Sequence, residues 1–177
     1  EVVAAVDRIP IIGNGDVIEP HDAVKLMAHS GCAGVMIARA AIRKPWIFRQ
    51  ADAAVRLARG EHPDSDVDRS ALERQVAEPS LLEKFKVIRR HVELCATHLN
   101  QRSAAELMRQ RISWYGKSMG HVKPLKEAIR TAPDLETMRA AVDHWIEWAA
   151  SDEEARTSPM AGRGAGPMAR ASLDDAV

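Results

Sequence analysis

The sequence predicts a mixed architecture, an α/β segment followed by an all-α segment that closes as an antiparallel helical bundle. Three observations carry this. Two short apolar runs, Ile9-Pro10-Ile11-Ile12 and Ala33 to Ile37, each lead straight into a turn of small residues. From Ser80 onward only the 3.6-residue period of helices remains. Charge changes at the same place: residues 1–79 hold 10 Lys+Arg against 12 Asp+Glu, residues 80–132 hold 11 against 4, and residues 133–177 hold 4 against 9. A surplus of seven positive charges in the middle of a chain of zero net charge marks a candidate polyanion surface.

The chain has 177 residues, enough for one domain with a real core or two small ones. Apolar residues make up 46% but aromatic residues only 4%, so the core must rest on Ala, Val, Ile, Leu and Met. No apolar run approaches the ~18–20 residues that span a bilayer, and the start has no basic and apolar leader pattern, which reads as cytoplasmic with no membrane partner. Cys32 and Cys95 lie far apart without a CxxC spacing, as expected of buried thiols in a reducing compartment. Glu1-Val2-Val3-Ala4-Ala5-Val6 reads as a helix entered mid-element, and the chain as a fragment.

In order, Ile9 to Ile12 reads as a parallel strand covered on both faces, ended by Gly13. Asn14-Gly15 could be a hairpin turn. Pro20 at a helix start, Asp22 in the first turn and the apolar face Ala23, Val24, Leu26 and Met27 favour a helix instead, stopped at Ser30-Gly31. The next strand then lies parallel to the first through a right-handed crossover. A helical region broken at Pro45 resumes from Trp46 to about Arg59. A polar linker covers residues 61–79, within which Asp68 to Glu78 can form a short helix.

Ser80-Leu81-Leu82-Glu83 has the form of a capping box, and Leu81, Phe85, Ile88, Val92, Cys95 and Leu99 make an apolar stripe from which Lys86 and Arg90 point away. Helices follow at about Ser103–Tyr115 (Ala104, Leu107, Met108, Ile112), from Pro124 to about Arg130, and from Asp134 to about Trp148 (Leu135, Met138, Val142, Trp145). Their short connections predict the antiparallel bundle, spanning residues 80–150. Residues 151–177, rich in Gly, Ala, Pro and Ser, read as a disordered tail.

The chemistry concentrates at the two turns. At Asn14-Gly15-Asp16 a glycine permits close backbone approach to a ligand and the asparagine can offer amide contacts, although these residues also populate plain βα loops. Arg39 follows the second strand and precedes a helix, so guanidinium and backbone N–H can both meet a phosphate; an arginine there can equally form a surface ion pair. Parallel neighbouring strands would bring both turns to one rim. His91, Cys95 and His98 have helical spacing suited to a metal, yet Cys95 belongs to the packed stripe and no fourth ligand is apparent, so no metal site is assigned.

The pattern Ile11-Ile12-Gly13-Asn14-Gly15-Asp16, then Gly31 with Gly34-Val35-Met36-Ile37, then Arg39 with Ala41, then Pro45-Trp46-Ile47-Phe48 resembles the tRNA-dihydrouridine synthases. Arg111-Ile112-Ser113-Trp114-Tyr115-Gly116-Lys117 is more loosely similar to that family's helical RNA-binding part. The resemblance implies that residues 1–60 are the C-terminal end of a TIM (β/α)8 barrel whose last two loops hold the FMN phosphate. It implies cofactors FMN and NADPH, tRNA as partner, a monomer when full length, and reduction of uridine to dihydrouridine.

On that basis Asn14, Gly15, Asp16, Ala38 and Arg39 are the expected phosphate-binding residues, and Arg109, Arg111, Lys117, Lys123 and Lys126 the expected RNA contacts. Where the family has glycines, this chain has Ala38 and Ala40; a positive φ at either would strain alanine by ~1 kcal/mol. The family's catalytic cysteine and flavin-contacting lysine belong to earlier barrel segments and match no residue here, so no catalytic residue is named. The residues also leave room for a small-molecule FMN oxidoreductase or a non-catalytic RNA-binding module.

Overall fold

The computed structural model describes residues 2–6, 8–61, 66–120 and 122–157. The element order is α1 (Val2–Ala5), β1 (Ile12–Asn14), α2 (Pro20–Ser30), β2 (Gly34–Met36), α3 (Arg39–Arg43), α4 (Ile47–Ala58), α5 (Asp66–Val76), α6 (Leu81–His98), α7 (Gln101–Tyr115), α8 (Lys123–Thr131) and α9 (Leu135–Thr157). No helix among the described residues is long and apolar enough to cross a membrane.

This corrects the expected fold class. The described residues are predominantly helical, with only two strands of three residues each and no further barrel strand. The strands pair in parallel, Ile12 with Gly34 and Asn14 with Met36. They are not the doubly covered strands their apolar runs predict, because Ile9, Ile12 and Met36 are more than half exposed. Two strands alone cannot bury both faces. An antiparallel bundle is not evident either: α6 to α9 enclose one core, but they run to 18, 15, 9 and 23 residues. Short connections enforce adjacency, whereas side-chain ridges and grooves set the crossing angle.

Local chemistry explains where the elements begin and end. Pro20 opens α2, and the Asp22 carboxylate accepts hydrogen bonds from the backbone N–H of Glu19 (2.9 Å) and Ile18 (3.2 Å). The Glu19 bond leads in holding the Asp22 carboxyl below its usual range. Gly31 closes the helix at φ 71°, its N–H bonded to the Met27 carbonyl. Gly13 is required by space: a Cβ there would lie 2.8 Å from Cys32 Sγ. The Ser80 capping box forms as expected, Glu83 N–H donating to Ser80 Oγ and Ser80 N–H to Glu83 Oε2. Asn100, not a residue near Ser103, caps α7. α9 continues to Thr157, so the first seven residues of the expected tail are helical; residues 158–177 lie outside the described residues.

Two apolar clusters result. The larger is filled by Phe85, Ile88, Val92, Met108, Ile112, Leu125, Ile129, Met138 and Val142 from α6 to α9. The smaller contains Val17, Ala23 and Ala51, flanked by Leu26, Val35, Ile37 and Val55. Trp46, at the start of α4, reaches into the larger cluster, where Lys84 Nζ lies 5.4 Å from its ring centroid and 2.7 Å from Glu78. Ser118 Oγ donates to the Arg43 carbonyl at 3.2 Å. Gln50 is buried on α4 and donates from Nε2 to the carbonyls of Val76 and Ala77, both at 3.0 Å, fixing the end of α5.

Candidate functional site

The two turns meet. β1 and β2 end side by side, and the loops that follow form a cleft of about 530 Å³ lined by Asn14, Gly15, Asp16, Val17, Ile18, Ala38, Arg39, Ala40, Arg43 and Lys44. All five residues expected at a phosphate therefore line one cleft. Arg39 pairs with Asp16 across it, joining positions 23 residues apart. Both partners are largely exposed, and an exposed pair of this kind contributes little stability, so an incoming anion can replace the carboxylate on the guanidinium.

The donor chemistry suits an anion. Arg39, Arg43 and Lys44 stand against one lining carboxylate, Asp16; Lys44 is also held by Glu19 at 2.8 Å. The strain feared at the two alanines is absent. Ala38 has φ −111°, Ala40 lies inside α3, and no described non-glycine residue has positive φ. Gly15 does not use a positive φ, and a Cβ there would make an ordinary 3.5 Å contact with Leu26. Its contribution to the cleft is exposed backbone.

The five residues expected to contact RNA have diverse surroundings. Arg109 donates to the carbonyls of Ala132 (2.8 Å) and Pro133 (3.4 Å), bracing the turn between α8 and α9. Lys117 Nζ lies 4.7 Å from the Trp114 ring centroid, and the Arg43 guanidinium carbon lies 5.2 Å from the same centroid. Lys126 is half-buried, its methylenes covering Gly116. Lys123 is exposed at the start of α8. Arg111 borders a second cavity.

Several of the cations of residues 80–132 are paired rather than free: Arg89 with Glu93 and Asp143, Arg102 with Glu106 and Arg130 with Glu127. Lys84 is 6% exposed and thus part of the interior rather than of a basic surface.

The second cavity, about 510 Å³, was not expected from the sequence. It lies between α3 and the α6–α7 pair and is lined by Ala41, Ile42, Pro45, Lys86, Val87, Arg90, His91, Leu94, Arg111 and Tyr115. The spacing of Lys86, Arg90 and Leu94 at i, i+4 and i+8 was the available signal. His91 Nδ1 lies 2.9 Å from the Tyr115 hydroxyl. Burial, followed by the Arg111 charge, lowers the His91 pKa; burial foremost pushes Tyr115 up to about 12. The pair is neutral near pH 7.

The His91, Cys95 and His98 spacing does not gather, and no group of three potential metal ligands occurs among the described residues. Cys32 and Cys95 are buried free thiols, and burial raises the Cys95 pKa. Neither has the exposure of a proton donor to substrate.

A sequence model of the dihydrouridine synthase (Dus) family matches residues 1–150. A probable tRNA-dihydrouridine synthase of Mycobacterium tuberculosis (strain CDC 1551 / Oshkosh) is 30% identical over 173 residues, covering 96% of this chain and 39% of the relative. Its counterpart in Mycobacterium leprae (strain TN) is 30% identical over 133 residues, 75% of this chain and 31% of the relative. The tRNA-dihydrouridine synthase B of Pasteurella multocida (strain Pm70) is 23% identical over 146 residues, 82% of this chain and 40% of the relative. The chain thus spans about two-fifths or less of these relatives.

Proposed function

Because the chain belongs to the dihydrouridine synthase family, we propose that it supplies the phosphate-binding and tRNA-binding parts of an enzyme that reduces uridine in tRNA to 5,6-dihydrouridine, with FMN as cofactor and NADPH as electron source. The observation that carries this reading is the single cleft into which the parallel strands bring Asn14-Gly15-Asp16 and Ala38-Arg39-Ala40.

In this reading Arg39 holds the FMN phosphate through its guanidinium, with Lys44 and Arg43 adding charge from the same wall. Asn14 and the backbone at Gly15 and Ala38 orient the oxygens. Asp16 positions the Arg39 side chain and yields to the phosphate when it arrives. Bound and reduced, the flavin supplies hydride to the uracil ring. The chain's own contribution is anchoring and orientation. Arg111, Lys117, Lys123 and Lys126 are the proposed phosphate contacts for tRNA, with Arg109 bracing the turn beneath them.

Titration of FMN and of inorganic phosphate into the protein, followed by flavin fluorescence and calorimetry, tests the cleft. Arg39→Ala is expected to weaken both ligands about tenfold or more, the scale of one charge-assisted hydrogen-bonding group. Equal affinity in the variant and the wild type would remove Arg39 from the site.

A further inference from the structure

The cavity between α3 and the α6–α7 pair combines an apolar wall with a cationic rim. Its wall is apolar: Ile42 and Leu94, 41% and 40% exposed, face it from different helices beside Pro45 and Val87. Its rim carries Lys86, Arg90 and Arg111, none of which forms an ion pair or hydrogen bond among the described residues, although other arginines of the same helices have carboxylate or carbonyl partners. The hydrogen-bonded His91 and Tyr115 add fixed polar atoms to a wall that is otherwise dry.

We propose that this cavity receives one unstacked nucleotide of the bound RNA, its base against Ile42, Pro45, Val87 and Leu94 and its flanking phosphates on Lys86, Arg90 and Arg111. The inference rests on the RNA reading above and adds a specific seat to it. A cavity of about 510 Å³ falls in the range that encloses small organic ligands, roughly 300–1,000 Å³. A flat aromatic ring flanked by two negative charges matches the apolar wall and cationic rim, and single-stranded nucleic acid is commonly held by such a pairing of base contact and backbone charge. His91 and Tyr115 lie where a base edge can find a hydrogen-bonding partner. A nonpolar ligand would leave the three cations unused, and a simple anion would leave the apolar wall uncovered.

The test separates wall from rim. Binding of an unmodified tRNA transcript to the full chain is measured over a range of salt concentrations. Leu94→Ser is expected to raise Kd about tenfold without changing the slope of log K against log salt, because it removes no charge. Arg90→Ala is expected to weaken binding and lower that slope by about one. Ile42→Ser, on the opposite wall, repeats the Leu94 measurement should that variant fold poorly, and both melts are followed by circular dichroism. In a complex with 5-bromouridine-substituted transcript, photo-crosslinks are expected at the cavity wall. Wild-type affinity in both wall variants, with crosslinks confined to the α8 surface around Lys123, would overturn the nucleotide seat while leaving tRNA binding intact. Absence of tRNA binding, or a flat salt dependence in the wild type, would overturn the RNA reading and the seat with it.

Discussion

The α6–α9 region and the β1–α2–β2 region are built from similar residues and packed very differently. The first has a core of long apolar side chains that are fully buried. The second is centred on Val17, Ala23 and Ala51 and leaves Ile9, Ile12 and Met36 exposed. Buried apolar area drives folding roughly in proportion, so the two regions contribute very unequally to stability. Yet the thin region holds the cleft lined by Asn14 and Arg39. The comparison teaches that in this chain the loops of the cleft rest on a scaffold held in part by its neighbour, through Trp46 and the Ser118–Arg43 contact.

The largest expected effect would come from Phe85→Ala, which empties the middle of the large core and should cost about 3–5 kcal/mol, whereas Ile12→Ala on the exposed strand should cost under about 1 kcal/mol. Urea denaturation of both variants checks this, and similar losses would erase the contrast. Next in size is Gln50→Ala. It strips the Val76 and Ala77 carbonyls of their donor, with an expected loss of about 1–3 kcal/mol and faster hydrogen exchange in α5. A change in α6–α9 exchange instead would show that α5 belongs with the larger core.

The smallest effect concerns pH. The Arg89 hydrogen bond holds the Glu93 carboxyl below its usual 4.5, with Arg139 adding to it. A lowered folded pKa gives stability that is present above the unfolded value and lost as pH falls through the folded one. The protein should therefore lose stability below about pH 4.5, and Glu93→Gln should flatten that part of the curve. An unchanged acid limb in the variant would show that the Glu93 pairs carry no net stability.

Much of this was legible in the residues. Ser80 and Glu83 announced the start of α6, Pro20 that of α2, and the apolar stripe through Phe85, Ile88, Val92 and Cys95 is buried. The meeting of the two turns followed from parallel neighbouring strands. Other features depend on tertiary context. Lys84 counts toward the basic segment by residue type, but it is 6% exposed, with Glu78 and the Trp46 ring as its partners inside. Leu99, continuing the stripe, is 41% exposed because α6 ends at His98. The barrel end and antiparallel bundle failed because strand pattern and loop length do not specify how many neighbours a strand has, or at what angle helices cross. The second cavity is not legible in the sequence because Ile42 is remote along the chain from the α6 and α7 residues it faces.

Arg43 lines the first cleft from α3, and its guanidinium lies over Trp114 of α7. One cation is thus shared between two environments, and thermodynamic reciprocity applies to it. An anion that draws the guanidinium into the cleft loosens the indole contact by the same free energy with which the indole opposes anion binding. The indole of Trp114 is for that reason where an anion bound in the cleft would be felt by the helices.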